Sequence, residues 1–150
     1  MTDTRRINNC SGFTLIETLL VFVVAVSLIS LSSLLVEKNI SNFSTAQFFS
    51  SFEKQLLYTQ QMAVVGAVDT EVYFSLEEQQ FRFVTGSKEE ALLLPEALAA
   101  TGPVKIIFKK GTGNNGNLSK YSFKYGRKNQ LIEFQFQMGS GKYVKKISEF

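Results

Sequence analysis

Residues 13–36, FTLIETLLVFVVAVSLISLSSLLV, form a run of 24 residues that carries a single charge, Glu17. As a helix rising 1.5 Å per residue, such a run is about 36 Å long, enough to cross a hydrocarbon layer of about 30 Å with some tilt. A buried core helix is the other home for an apolar run. The uncharged stretch 18–36 is too long and too uniformly apolar for that. The run therefore predicts a membrane span, closed by Glu37 and Lys38. Arg5 and Arg6 precede it, so the positive-inside rule puts the N-terminus in the cytoplasm and the rest of the chain outside the cell membrane, as a single-pass protein. A cleaved secretory signal is the competing expectation. Its apolar segment is usually 7–15 residues, shorter than this one, and no clear A-x-A site follows, although Ser30, Ser32 and Ser33 keep that alternative open.

The chain of 150 residues has no His and no Trp, and Cys10 is its only cysteine. Those absences remove Ser-His-Asp and Cys-His constellations, most zinc sites and any disulfide within the chain. A membrane-anchored enzyme is thereby disfavoured, and no catalytic residue, metal ligand or cofactor is expected. Glu77–Glu78 and Glu89–Glu90 read as solvated charges. GTGNNG (111–116) reads as a turn, because a phosphate loop needs a following helix and a strand follows here.

Glu17 decides the reading of the span, since an ionised carboxylate in a membrane helix costs several kcal/mol unless it is paired. The residues around it, SGFTLIETLL (11–20), closely resemble the class III signal of type IV pilins and pseudopilins. The resemblance implies that residues 1–12 are a leader removed by a prepilin peptidase between Gly12 and Phe13. It also implies that Phe13 becomes the N-methylated first residue of the mature chain, and that Glu17 is the assembly carboxylate. Paired with the terminal amine of a neighbouring subunit, Glu17 would be neutralised inside an apolar filament. Cleavage would remove Cys10 and leave a chain without cysteine.

Beyond the span the helical period continues. Ile40, Phe43, Phe49, Phe52, Leu56 and Ala63 recur as an apolar stripe between polar residues, and Gly66 is a plausible stop, predicting one helix over 13–65. Core packing is the expected fate of Phe43, Phe48, Phe49 and Phe52. From Asp69 the period becomes two. TEVYFSL (70–76) and QFRFV (80–84) predict a hairpin, 88–102 a mixed connector broken by Pro95, and 104–110, 118–125, 130–138 and 142–148 four more strands. The expected architecture is α+β and pilin-like: one long N-terminal helix, transmembrane in its first half (13–36) and amphipathic in its second (37–66), packed on an antiparallel sheet in an extracytoplasmic domain (67–150).

Charge is unevenly distributed. Residues 53–104 hold eight acids and three bases, a net −5, whereas 105–150 hold ten bases and two acids, a net +8. A basic half of this kind suits DNA or a partner's acidic surface. Lys142, Lys145 and Lys146, after a glycine turn near the C-terminus, are the candidate contacts. Within the pilin class, TQQMA (59–63), FKKGTGNNGNLSKYSF (108–123) and QMGSGKY (137–143) resemble the ComGD-type minor pilins of the Gram-positive competence pilus. The last segment is also similar to H-type pseudopilins of type II secretion and to a related DNA-binding minor pilin. Where those relatives carry Gly-Arg-x-Arg, this chain has Gly141-Lys142-Tyr143-Val144-Lys145-Lys146. The resemblance implies a minor pilin of a filament used for DNA uptake in transformation. Its partners would be the peptidase, other minor and major pilins, the membrane and, through the basic patch, DNA, with final residence in a cell-surface filament. A secretion pseudopilin is the alternative.

Overall fold

A computed structural model describes residues 14–149, with the side chains at 31–39 excepted. The architecture is α+β. A single long helix, α1 (Leu15–Val65), precedes eight strands: β1 (Thr70–Ser75), β2 (Gln80–Thr85), β3 (Lys88–Leu93), β4 (Leu98–Thr101), β5 (Lys105–Phe108), β6 (Lys120–Tyr125), β7 (Gln130–Phe136) and β8 (Tyr143–Glu149). A one-turn 3-10 helix, Gly126–Lys128, joins β6 to β7. The chain divides between Asn39 and Ile40 into two compact units, each described by itself.

In the first unit every described side chain from 14 to 30 is exposed. The hydroxyls in this segment turn inward on the helix: Thr18 donates to the Leu15 carbonyl, Ser27 to Val23 and Ser30 to Val26, at 2.8–2.9 Å. Back-bonding of this kind hides a hydroxyl on a surface otherwise made of hydrocarbon. Among the described residues no helix is long and apolar enough to cross a membrane. Part of the expected span, 13 and the side chains at 31–36, lies outside them.

The second unit contains every buried core residue among those described. Instead of the one sheet expected, the strands form two four-stranded antiparallel sheets, ordered β3-β2-β1-β5 and β4-β6-β7-β8. The region 88–102, expected as a connector, supplies a strand to each sheet. β3 pairs with β2 and β4 with β6, and Pro95 sits in the turn between them, where its carbonyl accepts from Leu98 N–H at 2.9 Å. The expected hairpin forms as β1–β2 in full register from Thr70–Thr85 to Ser75–Gln80, its turn using Gln79 at φ 49°.

Both sheets and the helix converge on Phe52, which is fully buried. Its ring centroid lies 4.9–6.1 Å from those of Phe48, Phe81, Phe83, Tyr121, Phe123 and Phe134, mostly edge to face, the arrangement that ring quadrupoles favour. Phe48, Phe49, Leu56 and Ala63 continue the buried stripe, with Thr45 and Thr59 filling the same face by bonding back to the carbonyls of Ser41 and Gln55. Phe43, expected in this core, is 71% exposed. At 100° per residue, nine positions place it half a turn away from Phe52, on the far side of the helix. Ile40 is exposed for the same reason of phase.

Candidate functional surface

Three arrangements bear on the expected sites. At the start of the chain, Gly12 and Phe13 lie outside the described residues. Glu17 lies in the first turn of α1, with its N–H donating to the Thr14 carbonyl at 3.0 Å, and it is exposed among exposed apolar neighbours Leu15, Ile16, Leu19 and Leu20.

The second arrangement is the C-terminal lysine group, which the strands separate. β8 pairs with β7 so that Phe134 lies opposite Lys145 and Glu133 opposite Lys146. Lys145 therefore points to the helix side, over the rings of Phe49 (5.6 Å) and Phe134 (5.5 Å), and its Nζ is 2.6 Å from a Glu53 carboxylate oxygen. Lys146 points to the other side, donating to Gln135 at 3.2 Å. Lys142 lies in the turn before β8. The three cations do not form one patch.

More broadly, three ion pairs tie the basic half of the sequence to the acidic half within the fold. Lys105 pairs with Glu71 at 2.8 Å, Lys109 with Asp69 at 2.8 Å and Lys145 with Glu53, each joining the basic half to the acidic half. The Lys109 ammonium, aided by the Lys110 backbone N–H, holds the Asp69 carboxyl below its ordinary range. Lys105 and the Tyr73 hydroxyl do the same for Glu71. Within the basic half, Lys120 reaches Glu133 at 2.6 Å and lowers its pKa as well. Lys110, Lys124, Arg127, Lys128, Lys142 and Lys146, six of the ten bases of this half, remain outside any ion pair among the described residues.

The third arrangement is the glycine loop 111–116, which fastens the end of α1. Gly111 N–H donates to the Ala63 carbonyl at 2.8 Å, and Thr70 Oγ1 donates to the Thr59 carbonyl at 2.7 Å, satisfying acceptors in the last turns of the helix. Gly113, at φ +63°, passes so close that a Cβ there would lie 2.6 Å from Val64 Cγ2. Gly141, at φ +62°, in turn packs on Gly113, where a Cβ would lie 1.9 Å from the Gly113 carbonyl oxygen. Gln60 Nε2 donates to the Ser140 carbonyl at 3.1 Å and completes the clasp. The glycines thus serve close backbone approach, and the Asn-Gly composition gave only the turn.

Among the described residues no group of three or more His, Cys, Asp or Glu is placed to hold a metal ion. Comparison with protein-family models, with curated proteins and with solved structures found no match in any of the three.

Proposed function

We propose that the chain is a ComGD-type minor pilin of a competence pilus, held in the membrane by residues 13–36 after removal of the leader and then built into, or priming, a filament for DNA uptake. The observation that carries this reading is the placement of Glu17, a lone carboxylate in the first turn of a helix whose other side chains from 15 to 30 are apolar or self-bonded and exposed. A helix of that composition is stable only where hydrocarbon covers it, in a membrane or among other helices. Glu17 then needs a cation from a neighbour, and a mature N-terminus at Phe13 supplies one. The separation of Lys145 and Lys146 onto opposite faces of β8, with Lys145 held by Glu53, favours pilin partners over DNA as the main contacts of the body.

The test is mass spectrometry of the membrane form in cells with an active prepilin peptidase. The expected chain begins at methylated Phe13, and Gly12→Glu should leave the leader attached. An intact leader on the wild-type chain in those cells refutes the assignment. Genes for an assembly ATPase and several small GFTLIE-type proteins in the same operon would place the chain in competence, whereas an outer-membrane secretin gene would place it in secretion.

A further inference from the structure

Four strands end their sheets, β3 and β5 in one and β4 and β8 in the other, and β3 (6 residues) and β8 (7 residues) are the two long edges, against 4 residues each in β4 and β5. Among the described residues their outer backbone groups have no backbone partner. The edges are opposite in charge. β3 reads Lys88-Glu89-Glu90-Ala91-Leu92-Leu93 and β8 reads Tyr143-Val144-Lys145-Lys146-Ile147-Ser148-Glu149. Each also shows an exposed apolar side chain, Leu93 at 70% and Ile147 at 60%.

We propose that these edges join between copies, β8 of one copy adding to β3 of a second as an antiparallel strand, so that the contact repeats head to tail. The faces of the strands fix the register. In β3, Glu90 and Leu92 lie opposite the buried Phe83 and Phe81 and so share the helix side, where Glu90 accepts a hydrogen bond from Gln55. Glu89 and Ala91 lie on the outer side, and Glu89 meets Arg82 there at 3.3 Å. In β8, Tyr143 and Lys145 take the helix side and Val144 and Lys146 the outer side. Setting Glu90 of one copy opposite Lys145 of the next keeps both helices on the same side of a continuous sheet. The same register brings Glu89 opposite Lys146, Ala91 opposite Val144 and Leu92 opposite Tyr143. Two charge pairs and two apolar pairs thus coincide, of kinds that stabilise adjacent strands, with Lys88 opposite Ile147 beside them; Glu90 and Lys145, held within each copy by Lys88 and Glu53, share those partners across the seam. Pairing β8 with β8 would instead bring two lysine-bearing strands together. A heterologous contact of this type repeats from copy to copy, giving a ring where the rotation closes and an open chain of subunits where it does not. It depends on the two edges alone and stands apart from the pilin reading.

Cysteine cross-linking in membranes tests it, with the full chain carrying Cys10→Ser. Cross-strand neighbours bring Cβ atoms to about 4.5–5.5 Å, close to disulfide reach. Co-expressed Glu89→Cys and Lys146→Cys chains, oxidised with copper phenanthroline, should give a covalent dimer that neither chain gives alone, and one chain carrying both should give a ladder. Ala91→Cys with Val144→Cys reports the same register independently. On that reporter pair, Glu89→Lys should cut the dimer yield about fivefold or more, and Lys146→Glu in the facing copy should restore it. A yield no greater than that from Glu89→Cys with Lys124→Cys, an exposed position two strands in from the edge, overturns the proposal. So does equal dimer formation by either single variant, or a charge swap without effect; the edge charges would then serve to keep strands apart.

Discussion

Phe43 and Phe52 offer a direct test of how α1 is phased against the sheets. Both are phenylalanines on one helix, nine residues apart, yet Phe52 is 0% and Phe43 71% exposed. Phe52→Ala deletes a ring that touches six others and leaves a cavity walled by both sheets, which cannot collapse without moving strands. Buried Phe→Ala changes cost about 3–5 kcal/mol, and the shared position between two sheets puts this one at about 4–5 kcal/mol. That is a third or more of the stability of a typical domain. Phe43→Ala removes no buried contact and should stay within about 0.5 kcal/mol. The assay is urea or thermal unfolding of segment 40–150, which holds the whole core, followed by far-UV circular dichroism because the chain has no Trp. For Phe52→Ala the midpoint should fall by roughly 15–20 °C, with almost no change for Phe43→Ala. Equal losses, or a loss below about 2 kcal/mol for Phe52→Ala, would refute the packing described.

Gly141→Ala should destabilise the body by about 3 kcal/mol or more, because the added methyl meets the Gly113 carbonyl as well as the left-handed penalty, whereas Gly139→Ala, at φ +76° in open space, should cost only about 1 kcal/mol; the same unfolding assay compares them. Stability should be flat between about pH 5 and pH 9.5 and fall on both sides. Asp69, Glu71, Glu90 and Glu133 are held by their lysine partners below ordinary values of 3.8 and 4.5, so their stabilisation is present above those values and is lost as pH falls through the lower folded ones. Burial raises Tyr121 and Tyr143 above 10.0, so stability is lost as pH rises past 10, and Tyr121→Phe, which deletes a buried hydroxyl without a hydrogen-bond partner among the described residues, should soften that alkaline limb in a pH series of melts. On the proposed pilin reading, Glu17→Ala removes a costly charge from the membrane, so immunoblots should show membrane levels at or above wild type while pilus assembly and transformation fall; parallel loss of the protein itself would assign Glu17 to stability.

The helix and most strands were legible because their signals are local: an apolar period, a β-rich alternation, a glycine where a turn is needed. Phe43 was misassigned because apolar spacing of three to seven residues does not define a single face, and only the positions of Phe48, Phe52, Leu56 and Thr59 fix which side is buried. β3 and β4 escaped notice since LLLPEALAA carries no alternation, and their strand character comes from the neighbours they pair with, β2 and β6. The basic half was legible as composition, but strand register decides where charge accumulates. Lys105 and Lys145 lie next to Glu71 and Glu53 only after the chain has folded. Nothing in GTGNNG or GSG marks two glycines 28 positions apart as partners in one clasp.

That clasp bears on the order of events during synthesis. α1 leaves the ribosome first, yet its end is secured by Gln60 bonding to Ser140, a partner 80 residues later. Phe52 likewise waits for Phe134 before its ring is enclosed. Contacts of such long sequence separation form slowly, since a large loop must close before they contribute. For the time taken to make about 80 residues, at roughly 5–20 residues per second, the second half of the helix has no sheet to cover its aromatic stripe. During those seconds a chaperone or the membrane surface must shield it, and a chain stopped before residue 140 would keep needing that shelter.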